Sequence, residues 1–154
     1  MGDNMDNYEI NDSTIALIFK NYKTLVYEKD KSFIVNKLPN EIIKYSCEYF
    51  GSSYKGRIDG TKYLTGLTHK PPIIVEESKE IVFFPLSSPR LNSCSWIRNK
   101  YIYRYFKTPL GCKIILSNDM EIDLNCSYEI INNQILRSSR LESIIRYRKN
   151  ANLL

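Results

Sequence analysis

Strand-length apolar runs recur along most of the chain, and they limit what it can fold into. Thr14–Phe19, Thr24–Glu28 and Ser32–Asn36 are short stretches rich in β-branched and aromatic residues, with polar turns between them. Glu28-Lys29-Asp30-Lys31 reads as a hairpin loop. Lys62–Leu67, Ile73–Val75 and Ile81–Phe84 extend the series, the last as an unbroken apolar run suited to a buried strand. Trp96–Lys107 reads as one long strand. Its alternation sets Tyr101, Tyr103 and Tyr105 on one face and Lys100, Ile102, Arg104 and Phe106 on the other. Lys113–Ser117 and Glu121–Leu124 flank a tight turn at Asn118-Asp119.

Two segments break the pattern. Asn40 is positioned to cap a helix over Glu41–Phe50, with Ile42, Ile43, Cys47 and Phe50 near one side and Gly51 at its end. From Tyr128 to Lys149 the composition turns helical and ends basic. The expectation is an α+β fold: a β-rich single domain over residues 1–154, with a short helix before a Gly-Ser-Ser motif and a C-terminal helical segment at 128–149. Residues 1–7 are expected to be a disordered polar N-terminus.

The net charge of +5 is unevenly spread. Residues 1–80 carry 11 Lys and Arg against 12 Asp and Glu, whereas residues 81–154 carry 11 against 5. No acid lies between Glu80 and Asp119, a span holding Arg90, Arg98, Lys100, Arg104, Lys107 and Lys113. A one-signed segment of that length attracts polyanions, unless it is simply a solvated face balanced by the acidic N-terminus. Cys47, Cys94, Cys112 and Cys126 form no CxxC pair, and one histidine cannot complete a zinc set, so no metal or cofactor is expected. The N-terminus lacks the apolar core of a signal peptide and no run is long enough to span a membrane, which points to a reducing cytoplasm and no membrane partner.

Chemistry concentrates in Phe50-Gly51-Ser52-Ser53-Tyr54-Lys55-Gly56-Arg57 and in Thr68-His69-Lys70-Pro71-Pro72-Ile73. Glycines, hydroxyls, an aromatic face and fixed positive charge suit an anion such as a nucleic-acid backbone. The plainer reading is a helix C-cap at Gly51 followed by an ordinary turn. His69 is either a hydrogen-bonded turn residue or a reader whose charge changes near neutral pH. Pro71-Pro72 stiffens the turn by fixing φ.

Five blocks stand in order along the chain: Cys47-Glu-Tyr-Phe-Gly-Ser-Ser-Tyr-Lys-Gly-Arg57, Gly60-Thr61, His69-Lys-Pro-Pro-Ile73, Phe84-Pro85 with Ser87-Ser88, and Cys94-Ser-Trp-Ile97. In order and spacing they resemble the ComK family of bacterial competence transcription factors. It implies a DNA-binding activator of DNA-uptake genes and no enzymatic activity. It further implies double-stranded AT-rich boxes read mainly through the minor groove, and self-association as a dimer, with a tetramer on DNA, in the nucleoid. Family members run a few dozen residues past Leu154, and recognition by a Clp protease adaptor belongs to that missing segment, so it is not carried over.

Minor-groove reading of AT-rich DNA needs cations for the narrow groove and polar groups for the phosphates. Arg57 is the first candidate for groove insertion, with Arg90 and Lys70 next. Ser52, Ser53, Tyr54, Lys55, Ser87 and Ser88 are candidates to hold phosphates, His69 adjoins them, and Arg98, Lys100 and Arg104 add non-specific attraction. Trp96 with Tyr101, Tyr103 and Tyr105 is either a base-stacking platform or a packed sheet face. The C-terminal helix either packs on the core or carries dimerisation with an arginine-rich outer face. Two other functions remain in view: a regulator acting through mixed oligomers, and a phosphate-binding enzyme, which the missing P-loop and the acid-free stretch disfavour.

Overall fold

The computed structural model describes residues 4–151. The N-terminal meander comprises β1 (Thr14–Lys20), β2 (Lys23–Glu28) and β3 (Ser32–Val35). Asn21 and Tyr22 both adopt left-handed φ, 50° and 60°, which gives the β1–β2 turn the twist that hairpin strands need. Further along come β4 (Ile73–Glu76), β5 (Ile81–Pro85) and β6 (Trp96–Arg98). These make a six-stranded antiparallel sheet in the order β3-β2-β1-β6-β5-β4, joined where Leu17 pairs with Trp96 and Ala16 with Ile97. A second sheet of three strands contains β7 (Ile102–Thr108), β8 (Gly111–Leu116) and β9 (Glu121–Leu124) in sequential order.

The large sheet is covered on both faces, which explains its unbroken apolar runs. Toward one face, Leu17, Ile73, Phe83 and Trp96 pack with Ile42, Ile43 and Cys47 of α1 (Pro39–Tyr49). Toward the other, Ala16, Phe84 and Ile97 meet Cys112, Ile114, Leu116 and Leu124 of the second sheet. Neighbours such as Phe83 and Phe84, or Trp96 and Ile97, thus serve opposite layers. The long α3 (Tyr128–Ala151) packs Ile131 into the second cluster and sets Leu141 and Ile145 against Ile74 and Val82. The fold is α+β, and among the described residues no helix is long and apolar enough to cross a membrane.

Four expectations need correction. Lys62–Leu67 is not a strand; most of it is the end of α2 (Tyr54–Thr65). Ser53 caps that helix by accepting from the Gly56 N–H at 2.9 Å, Gly66 ends it at φ 78°, and buried Thr61 donates to the Pro72 carbonyl at 2.8 Å. Asn40 is not the cap of α1, which begins at Pro39 after Leu38; the Leu38 N–H donates to Glu41 Oε1 at 3.1 Å.

The run Trp96–Lys107 is not one strand but two in different sheets, split by a 3-10 turn at Asn99–Tyr101. Asn99 Nδ2 is drawn to α3, donating to Ser139 Oγ at 3.1 Å and Glu142 Oε1 at 2.9 Å. A register shift between Ile102 and Arg104 breaks the alternation further. Of the expected disordered residues 1–7, 1–3 lie outside the described residues, but Met5 is ordered. It pairs beside Val35, donating to the Ile34 carbonyl and accepting from the Asn36 N–H.

Candidate nucleic-acid interface

Three sequence blocks that are distant in the chain meet at one cleft of about 410 Å³. Tyr54 and Ile58, one turn apart on α2, form its floor; Thr68, His69, Lys70 and Pro71 form one wall; Ser88, Pro89 and Arg90 form the other. Tyr54 packs edge-on against Trp96 with ring centroids 6.2 Å apart, and burial pushes its phenol up to about 12, so it is a neutral donor at physiological pH. Lys44 of α1 lies over the Tyr54 ring, 5.9 Å from the centroid.

The cleft is electropositive by composition. Its lining contains Lys70 and Arg90 and no carboxylate, and among the described residues neither cation has an ion-pair partner. Unpaired cations flanking a concave, partly aromatic surface, with Ser88 beside them, can hold an anionic backbone.

Its walls are loops, and both are fastened from behind. Lys70 has a left-handed φ of 47°, and its carbonyl accepts from Gln134 Nε2 at 3.0 Å and Arg137 Nη1 at 3.3 Å. Arg137 Nη2 also donates to the His69 carbonyl at 2.6 Å. On the other wall, Asn40 Nδ2 donates to the Pro89 and Leu91 carbonyls at 2.9 and 3.0 Å, while its Oδ1 accepts from Trp96 Nε1 at 2.9 Å. Motif reasoning missed Asn40, Gln134 and Arg137. Their partners lie dozens of positions away, and no local pattern marks them.

Several expected site residues lie elsewhere. Ser52, Ser53 and Lys55 stand around the start of α2, where the Ser53 hydroxyl is already engaged as the cap and Lys55 pairs with Asp59 at 2.9 Å. Arg57 is outside the cleft lining; its side chain is only 17% exposed and its Nη1 meets Glu77 Oε1 at 3.0 Å. Ser87 opens onto a different cavity with Phe19, Ser93 and Ser95. Arg98 is fully buried and held by Asp12, so the expectation that it attracts phosphate gives way to a structural role. Lys100 and Arg104 are exposed near the 3-10 turn and on β7. The tyrosines form no common platform: Tyr103 is exposed, Tyr101 lies under Arg98 and Lys29, and Tyr105 stacks on Tyr128 with centroids 5.4 Å apart.

The family model described as ComK protein matches residues 5–150. The competence transcription factor of Bacillus subtilis (strain 168) is 35% identical over 144 residues, spanning 90% of this chain and 75% of that protein. No solved structure matches. With nearly all of its length matched by the family model, the chain belongs to the ComK family.

Proposed function

We propose that this protein is a cytoplasmic competence transcription regulator that binds double-stranded DNA at AT-rich boxes, and that it does so without enzymatic chemistry. The observation that carries the reading is the cleft itself. Motif blocks around residues 54, 69 and 88 converge there, and they bring unpaired Lys70 and Arg90 to its two walls. The name of the Bacillus subtilis relative supports a competence role.

In this reading Arg90 and Lys70 enter or flank the minor groove, whose negative potential deepens where A-tracts narrow it. Ser88 and the Tyr54 hydroxyl donate to phosphates, and exposed Lys100 and Arg104 add attraction that does not depend on sequence. In this reading discrimination rests on groove shape and on A·T against G·C. Self-association as a dimer, with further assembly on DNA, completes the proposal.

The test is a salt titration of binding to two duplexes of equal length, one with phased A-tracts and one GC-rich. A preference for the AT duplex that persists as salt rises supports groove reading. Equal affinities that vanish together reduce the cleft to a basic surface.

A further inference from the structure

Each wall of the cleft is tied to the core through a side-chain carboxamide whose two N–H groups and oxygen are all in use, and on the His69–Lys70 wall Arg137 shares the task. Asn40 Nδ2 spends both its N–H groups on the Pro89 and Leu91 carbonyls, which bracket Arg90, and its oxygen accepts from Trp96. Gln134, only 2% exposed, spends both of its N–H groups on the Lys70 and Pro85 carbonyls, at 3.0 and 2.9 Å. Its oxygen accepts from Arg137 Nη1 at 2.7 Å. The Lys70 carbonyl belongs to one wall, and Pro85 is the last residue of β5, the strand from which the other wall departs. Gln134 therefore ties the Lys70 wall to the end of that strand, and Asn40 fixes the orientation of the Arg90 wall against α1 and Trp96.

We infer that Asn40 and Gln134 are positioning residues for DNA binding: they touch no DNA, yet they hold Lys70 and Arg90 at the spacing and angle from which both engage the duplex at once. The inference rests on the cleft reading above. Its physical basis is preorganisation. A cation on a loose loop must be ordered on binding, and that entropy is subtracted from affinity. A carboxamide suits the task because it is neutral, planar and able to donate twice while accepting. No other side chain of that size meets two carbonyls and an N–H donor together. A carboxylate of the same shape keeps the acceptor but sets negative charge against the two carbonyls.

The experiment uses Asn40→Asp and Gln134→Glu in the full chain, with affinity for the A-tract duplex measured across a salt series. Asn40→Asp is crossed with Arg90→Ala, and Gln134→Glu with Lys70→Ala, in two double-mutant cycles. Each carboxylate variant should raise Kd about tenfold and reduce the salt slope by about 1, as if one phosphate contact were gone. Adding the alanine substitution should then change Kd little further, because the cation has already lost its place. Additive losses, or an unchanged salt slope, overturn the inference while leaving the cleft reading intact. No loss in Arg90→Ala and Lys70→Ala alone overturns the cleft reading, and this inference with it. Circular dichroism checks each fold; should the carboxylates unfold the chain, the uncharged replacements Asn40→Ser and Gln134→Met run the same cycles against the same criteria.

Discussion

Arg98 Nη2 lies 3.1 Å from Asp12 Oδ1, and its Nη1 donates to the Asp12 carbonyl at 2.9 Å, with the arginine side chain wholly enclosed. The end of β6 is thereby bolted to the loop before β1. Removing only the acid leaves a buried cation without its partner. Asp12→Ala should cost about 3 kcal/mol, the low end for breaking a buried pair because Asp12 itself keeps access to water. Arg98→Met, which fills the same space without charge, should cost less. Urea denaturation of both variants checks the order.

The same pair gives the chain an acid limit. Burial pushes the Asp12 carboxyl up, but hydrogen bonding and charge from Arg98, with help from Lys29 and Lys100, outweigh it and hold the group below its ordinary value. Stability from a depressed carboxyl is present above the ordinary pKa and lost as pH falls through the folded one. The urea midpoint should therefore fall on acidification below about pH 4, and Asp12→Asn should flatten that limb.

Glu142 has the opposite sign. Burial pushes its carboxyl up despite the Asn99 hydrogen bond and the Arg146 charge. A raised pKa means that the stabilising, protonated form is present below the ordinary value and lost as pH rises through the folded one. Glu142→Gln should raise Tm at pH 7, since Gln keeps an acceptor for Asn99 without a buried charge. The gain should shrink to nothing near pH 4, the ordinary range of a carboxyl. Calorimetry at the two pH values measures it, and a gain that is equal at both would refute the assignment.

Arg57 and Arg90 make a contrast in DNA binding. Arg90 is exposed at the cleft, whereas Arg57 is mostly buried against Glu77. Arg90→Ala should weaken binding to the A-tract duplex by about 1–3 kcal/mol. Arg57→Met, which preserves the packed stem, should leave affinity unchanged. An affinity loss in Arg57→Met with folding intact would return the groove role to Arg57.

Gly111 opens β8 at φ 150°, and a Cβ there would stand 2.5 Å from the Leu124 carbonyl oxygen and 2.8 Å from that of Cys126. Both obstacles are backbone, so neither yields by a rotamer change. Gly111→Ala should cost more than about 2 kcal/mol and loosen the join between the small sheet and α3. Thermal unfolding of the variant tests this.

Local chemistry made the meander readable: β-branched runs and the polar loop at Glu28–Lys31 act within a few residues. Non-local chemistry hid the rest. Tyr63, Leu64 and Thr65 resemble a strand, and Gly56 and Gly60 argue against a helix. The Ser53 cap and the Thr61–Pro72 hydrogen bond nevertheless make one. Asn99 is pulled out of a strand by residues of α3 that no local pattern reveals. The cleft followed the same division. Tyr54, His69, Lys70, Ser88 and Arg90 could be named from their motifs, but the carboxamides behind them could not.

The three residues of β6 carry a consequence in time. The pairings within the meander β1–β3, and that of β4 with β5, need only segments that are neighbours in the chain. Neither half can join the other until Trp96–Arg98 has been made and Leu17 has found Trp96. Through that interval the outer edge of β1 stands unpaired, the kind of edge to which a second nascent chain adds most readily.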